Sequence, residues 1–77
     1  MEILKRIRLI IAKELAIDGS GIAESALLED DLGADSLNRF SIYSAVEEAF
    51  GVELDKEKAM EIETVGELVE YTRSLVS

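Results

Sequence analysis

Seventy-seven residues with 48% apolar content allow one domain with a single modest core. The chain has no Cys and no His, so disulfides and the usual metal ligands cannot brace it, and packed helices are the remaining support. Seventeen acids against eight bases give a charge of −9, which repels phosphate backbones and argues against nucleic acid, while the longest apolar run, Leu9 to Ala12, is too short to span a bilayer.

Ile3, Ile7, Ile10, Ile11 and Leu15 recur at the spacing of one buried helical stripe, which predicts a first helix from about residue 2 to 16. Asp18, Gly19, Ser20 and Gly21 then break the pattern, and a long loop follows as far as Asp35. Ile17, Ile22, Leu27, Leu28 and Leu32 make that loop too apolar for a free linker, so it is expected to wrap the helices, with a helical turn across residues 25–30.

Ser36 to Phe50 contains neither Gly nor Pro, and Gly51 stands where a helix ends in a left-handed residue, so a second helix is expected there. On its wheel Ile42, Val46 and Phe50 share the core side with Ala45 and Ala49 at the edge, while Leu37, Phe40, Ser41, Ser44 and Glu48 gather opposite. Leu37 and Phe40 next to each other suit a partner better than solvent, although Phe40 could instead tuck against the long loop. Arg39 falls on the core-facing side; it is expected to snorkel to the surface, with a place at a cavity mouth opposite Asp35 or Glu63 as the alternative.

Asp55 is a plausible N-cap for a short helix over Lys56 to Glu61, with Val52 and Leu54 pointing inward before it. Thr64 and Glu67 form a capping-box pattern for a last helix whose Val65, Leu68, Val69 and Thr72 lie on one side. The expected fold is all-α: a bundle of three main helices plus one short helix, with residues 1–77 as a single domain and a long loop between the first two helices.

Charge is uneven along the chain. Residues 1–16 carry Lys5, Arg6, Arg8 and Lys13, whereas residues 47–70 hold nine acids against Lys56 and Lys58. Such a surface serves either solubility or docking to basic partners.

Without His or Cys, neither an imidazole base nor a thiol nucleophile can be assembled, and no pair among the abundant carboxylates stands out as a dyad. No catalytic residue is expected. An EF-hand starting at Asp30 fails because Leu32 and Ala34 occupy its third and fifth ligand positions, so no metal site is expected either. Ser36 at the start of the second helix remains: helix N-termini favour anions, so a phosphodiester on that hydroxyl would sit in a favourable field. On helix physics alone, the reading of Ser36 or Asp35 as only an N-cap is the preferred one.

The string Asp31-Leu-Gly-Ala-Asp-Ser-Leu37 resembles the phosphopantetheine attachment motif of acyl carrier proteins. Glu47-Glu48-Ala49-Phe50-Gly51-Val52 is similar to that family's end of helix two, and Ile62 with Thr64-Val65-Gly66-Glu67-Leu68 to the start of its last helix. The resemblance covers essentially the whole chain. It implies a four-helix bundle of acyl carrier type, bearing 4'-phosphopantetheine from coenzyme A on Ser36. A phosphopantetheinyl transferase would attach that arm, with Asp35 aiding the reaction and Leu37 beside it. Acyl chains would ride as thioesters, the helices could part to shelter them, and partner enzymes would dock through basic patches.

The implied partner surface comprises Leu37, Asn38, Arg39, Phe40, Ser41, Ser44, Glu47 and Glu48. Asn38 and Ser41 replace acids common in fatty-acid carriers, and Arg39 adds a positive charge where a small or apolar residue is usual. A specialised carrier is therefore expected, since rim charges govern partner choice more than raw affinity. The resemblance leaves open an aminoacyl, D-alanyl or polyketide-type carrier, and an acidic helical interaction module without a prosthetic group is the reading from another class. A cytoplasmic monomer is expected, with no signal peptide, membrane span or nucleic-acid partner.

Overall fold

A computed structural model of the protein describes residues 3–76. Helix α1 (Ile3–Leu15) buries Ile7 and Ile11 completely, with Ile3, Leu4, Ile10, Ala12 and Leu15 packed around them. The start expected at residue 2 lies outside the described residues. The helix stops one residue before the expected end because Ala16 turns left-handed at φ 57°, and the Ile17 N–H reaches back to the Ala12 carbonyl at 3.0 Å. That bond closes a Schellman-type end on a residue that carries a Cβ.

The long loop is stitched to the bundle. A short 3-10 turn at Gly19–Gly21 is capped by the Asp18 carboxylate, which accepts the Ser20 N–H at 3.0 Å. Ile22, Leu28 and Ala34 are buried and Leu32 packs against them, as an apolar loop requires, whereas Ile17 stays 38% exposed. Residues 25–30 do not form one continuous helical turn: turns lie at 24–25 and at 28–32, and between them Leu27 pairs with Thr64 in an isolated antiparallel bridge. The Asp31 carboxylate accepts the Leu27 N–H at 2.8 Å, fixing that offset.

Helix α2 (Ser36–Phe50) ends at Gly51 with φ 66°, the left-handed residue foreseen. Its buried residues are Ile42, Tyr43 and Val46, so the core sector is rotated from the expected wheel. Tyr43 is covered and Phe50 only partly so, because the segment after α2 folds over the Tyr43 side. Phe50 instead carries the Arg6 guanidinium 4.4 Å above its ring, while Arg6 also donates to the Ala49 carbonyl at 3.1 Å. Ala45 is half-buried and Ala49 exposed.

Helix α3 (Lys56–Glu61) starts at Asp55, whose carboxylate accepts the Glu57 and Lys58 N–H groups. Helix α4 (Val65–Val76) starts with the capping box: Thr64 Oγ1 accepts the Glu67 N–H at 3.1 Å, and Glu67 Oε1 accepts those of Thr64 and Glu63. Residues 24–28 run so close to this start that a Cβ at Gly66 would stand 3.2 Å from the Glu24 carbonyl oxygen. Val65, Leu68, Val69 and Thr72 are buried together, as their spacing requires. The core lies where α1 meets α2 and α4, and each fully buried Ile or Leu there contributes roughly 1.5–3 kcal/mol. No helix among the described residues is long and apolar enough to cross a membrane.

Candidate functional site

Buried Ala34 anchors the end of the loop, and Gly33 at φ 74° reverses the chain just before it, so Asp35 and Ser36 are held at the surface. Asp35 is the N-cap of α2. Its Oδ1 accepts the Asn38 N–H at 2.9 Å, and Asn38 Oδ1 accepts the Asp35 N–H at 3.4 Å. The Ser36 hydroxyl takes no part in this capping and is exposed. The N–H groups of Ser36 and Leu37, in the first turn, have no intrahelical acceptor and lie at the positive end of the helix dipole.

Leu37 is 77% and Phe40 61% exposed, so Phe40 does not tuck against the loop. Ser41, Ser44 and Glu48 share their exposed face, as the wheel predicted. Across from Phe40, α3 presents Met60 at 63% exposure. Phe40, Tyr43, Leu54, Ala59 and Met60 line an apolar hollow of about 210 Å³ between the two helices. Glu47 borders it, and its Oε2 accepts the Leu54 N–H at 2.7 Å, which braces the turn between α2 and α3.

Arg39 does not snorkel into solvent. It stands at the mouth of a second hollow of about 230 Å³, which Glu29, Asp30, Ile62 and Glu63 also line. Neither Asp35 nor Glu63 is its hydrogen-bond partner. The guanidinium donates to the carbonyls of Ile62 at 2.7 Å and Met60 at 3.1 Å, and to the Tyr43 hydroxyl at 3.3 Å. Carbonyls at the C-terminal end of a helix lack intrahelical donors and sit at its negative pole, so they compete well against carboxylates that water already solvates. Sequence reasoning missed the acceptors because the carbonyls of Met60 and Ile62 leave no mark in side-chain identity.

The structure thus brings Leu37, Phe40, Ser41, Ser44 and Glu48 together on one exposed face beside Ser36. Asn38, Arg39 and Glu47 are half-buried and engaged in contacts within the fold. Met60, which borders the apolar hollow together with Tyr43, was absent from the expected site. A signal for Met60 existed: it is a large apolar residue among the charges of a short helix.

Residues 5–72 match the family described as "Phosphopantetheine attachment site". Among solved structures, the chain is similar to a candidate acyl carrier protein from Mycobacterium tuberculosis. The two are 30% identical with a TM-score of 0.90, over 95% of this chain and 97% of that one. The free hydroxyl of Ser36, its exposure and the open N–H groups around it fit a phosphodiester-linked arm.

Proposed function

The chain belongs to the acyl carrier protein family, whose domain is the attachment site of 4'-phosphopantetheine, and from that premise we propose that Ser36 bears the arm. The protein is a carrier and not an enzyme, and the terminal thiol of the arm supplies the reactive group that the chain lacks. The observation that carries the assignment to Ser36 is the division of labour at the start of α2. Asp35 and Asn38 cap the helix between them, so the neighbouring hydroxyl is free to be modified without loss of a structural bond.

On this reading the residues of the chain hold and present the arm. Gly33 and Ala34 set the position of Ser36, and the first-turn N–H groups stabilise the phosphodiester charge. The exposed face of Leu37, Phe40, Ser41, Ser44 and Glu48 meets the transferase and then the acyl-handling enzymes. Its contact is more apolar than acidic, since Leu37 and Phe40 dominate it and Asn38 and Ser41 carry no charge. That balance supports a dedicated acyl pathway over general fatty-acid synthesis, with residues 1–77 acting as one monomeric, cytoplasmic carrier domain.

Incubation with coenzyme A and a broad-range phosphopantetheinyl transferase is expected to add the mass of one arm, and Ser36→Ala to abolish the gain. The pathway assignment is tested by offering the loaded protein to housekeeping fatty-acid enzymes: elongation as efficient as that of the host's main carrier would contradict it.

A further inference from the structure

The seam between α2 and α3 borders two hollows, one mainly apolar and one mixed, and Arg39 stands at the divide. On one side lies the mainly apolar hollow of Phe40, Tyr43, Leu54 and Ala59; on the other, the hollow where Leu27, Leu28 and Ile62 meet Glu29, Asp30 and Glu63. Met60 lines both, and the Arg39 guanidinium runs from the Tyr43 hydroxyl to the carbonyls of Met60 and Ile62. A planar guanidinium holds several acceptors in fixed directions, and hydrogen bonds from a charged donor are stronger than neutral ones.

Building on the carrier reading, we propose that Arg39 is a specificity-determining clasp. It keeps the two hollows apart and so restricts the acyl chain sheltered beside Ser36 to what the apolar hollow alone can hold. The occupant is the protein's own thioester-bound chain. Phe40, at the rim of the apolar hollow, lies one turn along α2 from Ser36, and the lining there is mainly hydrocarbon and aromatic, with Ser44, Glu47 and Lys56 among it. A longer chain would have to pass the guanidinium. That would break its bonds to α3 and leave a half-buried charge against methylenes before the chain reached the second hollow, where Leu27, Leu28 and Ile62 are mixed with Glu29, Asp30 and Glu63. Short acyl groups are therefore the class this carrier shelters.

The test uses the full chain as wild type, Arg39→Ala and Arg39→Lys. In the unmodified proteins, hydrogen exchange is read at the amides of Ala59 and Ile62, which are bonded to Asp55 and Ala59 carbonyls respectively. Exchange in Arg39→Ala is expected to be about tenfold faster, the factor corresponding to loss of roughly one hydrogen bond to a charged group. Arg39→Lys should fall between, because an ammonium lacks the planar fork.

Each protein is then loaded with butanoyl- or dodecanoyl-phosphopantetheine and its thermal midpoint measured. The wild type should show the same midpoint with either chain, while Arg39→Ala should gain about 4 °C or more with the longer one. The proposal is overturned if dodecanoyl raises the wild type as much as Arg39→Ala, or raises neither. Equal exchange rates in the unmodified chains would remove the clasp and leave the carrier reading intact. Failure of the wild type to accept the arm would remove the carrier reading, with the exchange result standing separately.

Discussion

Asp35 and Asn38 cap α2 reciprocally: the Asp35 carboxylate accepts the Asn38 N–H at 2.9 Å, and the Asn38 side chain accepts the Asp35 N–H at 3.4 Å. The hydroxyl of Ser36, the first residue of the helix, is thereby left out of the capping. Ser36→Ala should change stability by no more than about 0.5 kcal/mol, as for other surface substitutions. Asp35→Ala should cost about 1 kcal/mol, the usual cost of losing an N-cap. Urea unfolding of the two unmodified variants checks both values. A large loss in Ser36→Ala would mean that the hydroxyl has a structural duty.

Ala16 ends α1 in the left-handed region at φ 57°, where a Cβ is unfavourable. Ala16→Gly should therefore stabilise the protein by up to about 1 kcal/mol, the steric relief being partly offset by the greater freedom of glycine in the unfolded chain. A rise in the thermal midpoint reports it, and a fall would show that the Cβ is accommodated.

Asp18 is held below its ordinary value of 3.8 because its carboxylate accepts hydrogen bonds from Ser20, first from the backbone and then from the hydroxyl. A carboxylate depressed in the folded state stabilises the fold fully above its unfolded pKa, and that contribution disappears as pH falls through the folded one. Wild type should thus lose part of its advantage over Asp18→Asn as pH drops from 5 through about 3, in the range of unperturbed carboxylates. A stability difference that is constant over this window would contradict the assignment.

Nine acids occupy residues 47–70, and among the described residues the one ion pair is Arg73 with Glu70, at 3.8 Å and exposed. Exposed pairs of this kind contribute little, so self-repulsion is largely unrelieved. Raising ionic strength from about 0.01 to 0.15 M shortens the screening length from about 30 to 8 Å and should raise the unfolding midpoint. A flat response would indicate that these carboxylates are already too well solvated to repel.

What was legible in the sequence follows a physical division. Elements whose signals are local, such as the Thr64–Glu67 box, the Asp55 cap, Gly51 and the stripe of α1, stand where their residues place them. The left-handed turn at Ala16 was not legible because alanine carries no preference for it, and the bridge of Leu27 to Thr64 because it is a pairing between segments distant in sequence. The same holds at the candidate site. The position of Ser36 follows from its flanking residues, and the exposed face of α2 from helical period. The burial of Tyr43 and the acceptors of Arg39 depend on where α3 comes to rest, and on backbone carbonyls that side-chain identity does not encode.

The central claim is that one arm is attached to Ser36 and to no other hydroxyl. Ser41 and Ser44 are exposed on the same helix, so a gain in intact mass alone does not distinguish them. Peptide fragmentation of the protein after treatment with coenzyme A and transferase is the most direct measurement. A single phosphopantetheine on the peptide residue Ser36 is the predicted result. An arm on Ser41 or Ser44, or no arm on any peptide, would contradict it.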